Sequence, residues 1–232
     1  MQRSRASVPE RLDQPGVPPA EAERALRDLD RVYRWLLFGA PLRRAVLDVL
    51  ARSGGSGGGR SWAVDVGAGG GHVADDLVAA ARRRGRHLTV AGVDAKLSHL
   101  LAGRRMGSPQ LPVVADAQAL PFAGGAVTCA LSHLFFHHLD DAANRAVLEE
   151  MRRVARHVVV VDLRRSRVSR LLVRPCLRLL ALSPTAYHDG VASVRGSYRL
   201  EEVAAIVEGL PVRELRARFP FRWSLVIAGS DA

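Results

Sequence analysis

Residues 62–73 read Trp-Ala-Val-Asp-Val-Gly-Ala-Gly-Gly-Gly-His-Val, which sets a carboxylate, Asp65, just ahead of glycines at 67, 69 and 71. Glycine tolerates left-handed turns and lets a ligand come close to backbone. An apolar run from Trp62 to Val66 precedes these glycines and a helical pattern starts near His72. The stretch therefore predicts a strand, a tight turn and a helix whose free N–H groups face a bound group. Two ligand chemistries fit this turn. Gly69-x-Gly71-x-x-Ala74, with Asp94 twenty residues on, satisfies a dinucleotide fingerprint. Asp65 argues the other way, because a carboxylate repels a diphosphate and attracts an ammonium or sulfonium group. The order Asp-x-Gly-x-Gly-x-Gly leans towards S-adenosylmethionine.

Two further acids fall where a nucleoside would need them. Asp94 ends an apolar run in Ala-Gly-Val-Asp-Ala and can accept from ribose hydroxyls, or simply cap the next helix. Asp116, in Val-Val-Ala-Asp-Ala-Gln-Ala-Leu-Pro-Phe, can accept from an adenine amino group while Ala117 leaves room for the ring; as a bare loop Asp it could equally be a turn residue. Histidine supplies the proton chemistry. His133, His137 and His138 follow the fourth expected strand, and any of them could take a proton from a phenol or merely pack the turn. His188 stands beside Asp189, which could orient it, and it is the first choice for a base. Adjacent histidines are not expected to converge on one ion, so no metal is implied.

The elements that must position these groups alternate. Strands are expected near 62–66, 88–93, 112–115, 127–131 and 157–162, and helices near 72–84, 96–104 and 141–155. This pattern predicts a doubly wound parallel sheet with right-handed crossovers. A helix at about 200–208 then leads to strands near 212–218 and 222–228, a terminal hairpin that would insert one antiparallel strand. Upstream, residues 1–19 carry four prolines among polar residues and read as a flexible tail. Residues 20–232 read as one domain. Within it, 20–52 form N-terminal helices broken at Gly39-Ala40-Pro41, 53–60 a Gly/Ser link, and 61–232 the core with an insertion at 164–190.

Several of these stretches act together as a signature. Val-Asp-Val-Gly-Ala-Gly-Gly-Gly, Gly-Val-Asp-Ala, Ala-Asp-Ala-Gln-Ala-Leu-Pro-Phe, Leu-Ser-His-Leu-Phe-Phe-His-His-Leu-Asp-Asp, Glu-Glu-Met-Arg-Arg-Val-Ala-Arg and Ser-Tyr-Arg-Leu-Glu-Glu-Val span about residues 60–210. The chain thereby resembles class I S-adenosylmethionine-dependent methyltransferases of the quinone-biosynthesis branch. The resemblance implies an α/β, Rossmann-like, seven-stranded sheet with one reversed strand. It also implies cofactor contacts along Asp65, Gly67, Ala68, Gly69 and Gly71, at Asp94 and Ala95, at Asp116 and Ala117, and around Ser132 and His133. Thr128 departs from the family, which usually opens the fourth strand with an Asp. His-His-Leu-Asp-Asp, Val-Val-Asp-Leu-Arg-Arg-Ser-Arg and His-Asp-Gly-Val-Ala-Ser-Val-Arg also resemble methyltransferases found beside type III polyketide synthases. That likeness implies a phenolic or quinone-type acceptor; its pocket is expected from the N-terminal helices, with Tyr33, Trp35 and Phe38, and from residues 166–190, with Tyr187, near His138.

Charge narrows the partners. The formal net charge is +11, yet nine arginines against one acid, Asp162, lie between Arg152 and Arg178, so most of the excess is local. Arg167, Arg170, Arg174 and Arg178 recur at helical spacing, with Val168, Leu171, Leu172, Leu179 and Leu182 on another face and Pro175 between them. Residues 166–182 could be a lid over the acceptor, a contact with an anionic membrane surface, or both. Nucleic acid is the poorer partner, since so full an apolar stripe has no use for phosphates. Cys129 and Cys176 give neither metal spacing nor a disulfide framework, which suits a reducing cytoplasm. No secretory or membrane-spanning segment is expected, and monomer and homodimer both stay open.

The expected activity is methyl transfer from S-adenosylmethionine to a small apolar acceptor, most readily on oxygen. The alternatives are a nicotinamide-dependent oxidoreductase, or a nucleic-acid-modifying or lipid-surface protein on the same fold. Calorimetric titration with S-adenosylhomocysteine, NAD and NADP separates them. A methyltransferase binds the first alone and loses affinity on Asp65→Ala; an oxidoreductase binds a nicotinamide and gains from that change.

Overall fold

The computed structural model describes residues 5, 9–14, 16–35, 39–53, 60–180, 182–219 and 221–229. Its five parallel strands are β1 (Arg60–Val66), β2 (His87–Asp94), β3 (Leu111–Val114), β4 (Cys129–His133) and β5 (His157–Leu163). Every residue of β4 is buried, as are Val158 to Leu163 of β5. Near-continuous apolar runs of this kind form where helices cover both faces of a parallel sheet. The hairpin of β6 (Val212–Arg218) and β7 (Arg222–Ala228) lays β7 antiparallel against β5. The strand order is β3-β2-β1-β4-β5-β7-β6. The expected Rossmann-like seven-stranded sheet with one reversed strand is present.

Helices α1 (Pro19–Trp35), α2 (Gly39–Ser53), α3 (His72–Arg82), α6 (Arg167–Leu179) and α7 (Pro184–Gly196) serve one face, where Leu42, Val46, Leu77, Leu131, Val161, Leu177 and Val194 share a core. Helices α5 (Asp141–Val154) and α8 (Leu200–Ile206) serve the other, around Val64, Leu148, Met151, Val160, Trp223 and Ile227. Helix α4 (Leu97–Arg105) covers the β2–β3 side. Strand order reverses between β1 and β4, so the carboxyl ends of these strands open a crevice there.

Three expectations shift. The fourth strand begins two residues later than expected; Val127 makes only an isolated bridge, to Ala155. Pro175 lies inside a continuous α6, and the insertion runs through α7 to Gly196. The supposed tail is ordered where it is described. Arg11–Asp13 form a 3-10 turn whose Arg11 and Leu12 N–H groups donate to the Asp189 carboxylate at 2.7 and 3.0 Å, and Leu12 is buried. A buried carboxylate thus holds what composition alone read as mobile. Residues 54–59 of the Gly/Ser link and residues 36–38 between α1 and α2 lie outside the described residues. Among the described residues, no helix is long and apolar enough to cross a membrane.

One close approach ties α4 to the glycine turn after β1. A Cβ at Gly103 would stand 2.6 Å from the Gly70 carbonyl oxygen and 2.9 Å from its carbon. Backbone cannot swing aside as a side chain can. Gly103→Ala is expected to cost about 1–3 kcal/mol in chemical denaturation and to weaken cofactor binding, because the helix must back away from the turn.

Candidate active site

The turn after β1 has the backbone that its sequence requires: φ is +75° at Gly67, +51° at Gly69 and +73° at Gly71. Side chains are strained in that region. The Gly67 and Ala68 N–H groups both donate to the Val93 carbonyl at 2.9 Å, which fastens the turn to β2. Asp94 completes the link, accepting from the Gly69 N–H at 2.9 Å and the Lys96 N–H at 2.8 Å. Burial would raise the Asp94 pKa, but a hydrogen bond from His99 and these two N–H groups outweigh it and hold the carboxyl below its usual range. The carboxylate therefore organises the loop and still has lone pairs to offer a ribose.

Asp65 lies beneath this turn. It is 1% exposed, and neither carboxylate oxygen has a hydrogen-bond partner. Burial first, and the nearby Asp94 charge second, push its pKa up to about 7. An orphaned buried carboxylate is costly unless a cationic group compensates it. S-adenosylmethionine brings two positive groups, its ammonium and its sulfonium, and so fits; a diphosphate does not. On the next loop the Asp116 Oδ1 accepts from the Gln118 N–H at 2.9 Å, and Ala115 to Gln118 line the same cavity.

That cavity measures about 390 Å³. It runs from Gly67–Gly70 past Asp94, Ala95, Lys96, His99 and Asp116 to an apolar chamber bounded by Leu26, Leu29, Val32, Val173, Leu177, Val194 and Phe221. Leu134, at φ +55°, turns the chain sharply between His133 and Phe135, which both line it. Ser132 instead donates its hydroxyl to the Val66 carbonyl at 2.8 Å and joins β4 to β1 behind the wall. Gly71 likewise backs onto Ser108 and Gln110, away from the cavity lining.

The polar end of the chamber is a histidine–carboxylate cluster. His137, buried, has its Nδ1 2.7 Å from the Asp162 carboxylate and its Nε2 3.5 Å from Glu10. His138 has its Nδ1 2.9 Å from Asp13, and Asp13 also pairs with Lys96 at 2.8 Å. Burial would lower the His137 pKa, but Asp162 and then Glu10 outweigh it and raise it to about 10. Burial of Asp162 and Glu10 is in turn outweighed by the imidazolium, and both are held below the usual carboxylate range. Glu10, His137 and His138 each offer a donor atom, all within 4.8 Å of one another, so the adjacent histidines do converge, contrary to expectation. These residues could hold a metal ion; an imidazolium at His137 would instead turn one N–H towards each of the two carboxylates.

Other expected site residues stand elsewhere. His188 lies outside the cavity lining, with its Nδ1 2.9 Å from an Asp189 carboxylate that serves the Arg11 and Leu12 N–H groups. Helix α7 turns Gly190, Ser193 and Val194 inward, which sends His188 to the opposite side. Tyr187 packs against the core cluster below α2 and α6 and does not line the cavity. Tyr33 packs behind the wall on His72 and His133, with ring centroids 4.7 and 5.2 Å apart, and donates its hydroxyl to Asp76. Phe38 and the Trp35 side chain lie outside the described residues. Sequence reasoning missed Glu10, Asp13, Lys96 and His99, and it counted Asp162 only as a charge. Its position at the carboxyl end of β5, level with Asp94 on β2, was the available signal.

Residues 64–160 match a family model described as a methyltransferase domain. Curated proteins give no significant sequence match. Among solved structures, a SAM-dependent methyltransferase from Aquifex aeolicus is similar at 18% identity and TM-score 0.59, over 91% of this chain and 98% of that one. The plantazolicin methyltransferase BpumL, in complex with SAH, gives 12% identity and TM-score 0.64 over 91% of each chain. Magnesium protoporphyrin IX methyltransferase (ChlM) from Synechocystis, with bound SAM, gives 12% and 0.51 over 95% and 88%. At these identities the likeness to solved structures concerns the fold.

Asp65 makes a two-sided prediction. Its folded pKa of about 7 exceeds the unfolded value, so the folded chain holds an extra proton between the two. Asp65 should therefore contribute a fall of ~1.4 kcal/mol per pH unit to the stability of the ligand-free protein as pH rises from about 4 to 7, set against a rise from buried His72, whose pKa burial pushes down to about 4. Asp65→Asn should remove the falling contribution and melt later than the parent at pH 8, while binding S-adenosylhomocysteine at least about tenfold more weakly. A variant that melts earlier with unchanged affinity would contradict this role.

Proposed function

We propose that this chain, a methyltransferase that uses S-adenosylmethionine, methylates an oxygen of a small apolar acceptor of phenolic, quinone or polyketide character. One observation carries the reading: a single cavity joins the glycine turn and its acids to an apolar chamber with a histidine at the polar end. The Gly67–Gly69 backbone, Asp94 and Ala95, and the Asp116–Ala117 loop would hold the cofactor, with His133 beside it; Asp65, buried beneath the turn and not itself part of the cavity lining, would act on it by charge. When bound, S-adenosylmethionine supplies a methyl group already activated on sulfur. The protein then has to align the acceptor, exclude water and receive a proton.

His137 is the group placed to receive it. With Glu10 on its Nε2, the imidazole is already protonated and cannot act as a base. An acceptor hydroxyl that takes the place of Glu10 leaves Asp162 as the sole carboxylate on the ring. The His137 pKa then falls, and Asp162 keeps Nδ1 protonated so that Nε2 is the accepting atom. His188, the first choice from sequence, is not among the residues that line this chamber.

The walls suit a small molecule without net charge. The fold itself leaves the acceptor open, since solved relatives are named for plantazolicin and for magnesium protoporphyrin IX. Cys129 and Cys176 are both unpaired thiols, which agrees with a cytoplasmic enzyme. Residues 166–182 are the part proposed to meet a lipid-like acceptor.

A screen of phenolic lipids and quinones with a labelled methyl donor should find the acceptor class. With it, His137→Gln is expected to lower kcat by about 10²-fold or more with KM little changed. Glu10→Gln removes one of the two carboxylates that raise the His137 pKa. The rising limb of the kcat/KM profile should then move to lower pH, with a gain at pH 7. An unmoved limb would take the base role from His137.

A further inference from the structure

Helix α6 carries three lengthwise stripes, because side chains advance by about 100° per residue. Ser169, Val173, Cys176 and Leu177 face inward as a wall of the cavity. Val168, Leu171, Leu172 and Leu179 face solvent, 48, 74, 39 and 86% exposed. Arg167, Arg174 and Arg178 are exposed on the stripe between them. Phe219, the residue after β6, is 87% exposed and stands two residues before Phe221, which lines the cavity. Scattered exposed leucines are ordinary; a row of them flanked by arginines on a helix that also walls a cavity is a surface awaiting a partner.

We propose that the outer stripe of α6, together with Phe219, seats this protein on an anionic lipid bilayer, with the cavity mouth at the interface. The charge pattern selects this occupant. No acidic residue occurs from Leu163 to His188, and among the described residues no ion pair joins Arg167, Arg174 or Arg178, so the face offers apolar side chains and positive charge together. Anionic headgroups over acyl chains complement both. A second copy related by a twofold axis would instead press arginine against arginine. Nucleic acid would satisfy the arginines and strand the leucines in water. The inference rests on the cavity being the acceptor site only for its purpose, which is direct transfer of a lipid-like acceptor from bilayer to chamber.

Sedimentation with vesicles tests it without acceptor. The full chain should bind phosphatidylglycerol–phosphatidylcholine vesicles about tenfold more tightly than pure phosphatidylcholine, and less tightly as salt rises. The combined variant Leu171→Gln, Leu172→Gln, Leu179→Gln should lose that binding while titrating S-adenosylhomocysteine as the parent does. Arg167→Gln, Arg174→Gln, Arg178→Gln should remove only the anionic preference. Equal binding of parent and leucine variant, or no binding by a parent that still takes S-adenosylhomocysteine, would overturn the proposal. So would a dimer in analytical ultracentrifugation that the leucine variant abolishes without any vesicle binding. Failure of the parent to bind S-adenosylhomocysteine would count instead against the methyltransferase reading.

Discussion

The spacing between the first two loops on the sheet's carboxyl edge is set by the Asp94 carboxylate. It accepts from the Gly69 N–H on one side and the Lys96 N–H on the other, and so fixes how far the glycine turn stands from the start of α4. Gly103 lets α4 approach the Gly70 backbone, and the Val93 carbonyl holds Gly67 and Ala68 from below. The result is a concave backbone shelf built before any ligand arrives. Beneath it Asp65 is left without a partner, a deficit that a cationic ligand removes.

A second set of charges closes the far end of the cavity. His137 between Asp162 and Glu10 is a buried ion network, and such networks stabilise little unless every member is satisfied. Here the members come from different parts of the chain. Asp162 is the last residue but one of β5, His137 sits in the short turn after β4, and Glu10 arrives on an N-terminal strap pinned by Asp189 of α7. The network therefore records whether the strap, α7 and the sheet edge are in register.

Much of this was legible in the residues. The glycine spacing with Asp65, and the acids at 94 and 116, could be read as one set along the sheet's carboxyl edge because each has a local backbone reason to be where it is. Valine-rich β5 and the late hairpin specify the sheet for the same reason. The chamber was harder to read. His188 next to Asp189 looks like a dyad in sequence, yet helical geometry turns it away and gives its neighbour to two N–H groups. Glu10 and Asp13 lie among prolines and polar residues, where composition argues for a loose tail. Long-range contacts with Asp189, Ser193, Lys96 and the two histidines bring them to the cavity, and no local pattern encodes contacts across such separations.

The placement of β7 has a consequence for how the chain reaches this state. Trp223, Leu225 and Ile227 are among its largest fully buried side chains, and they stand on the last strand of the sheet in chain order, yet that strand lies between β5 and β6. On a ribosome, β5 is exposed to water along one edge while α6, α7, α8 and β6 are being made. The sheet can close only when the reversed strand has emerged. Until then the flank of β5 is an open edge beside a row of valines, the kind of surface that pairs with foreign strands or recruits a chaperone. How long that edge stays open is therefore set by the order of synthesis, and it closes at the strand farthest from the glycine turn in sequence.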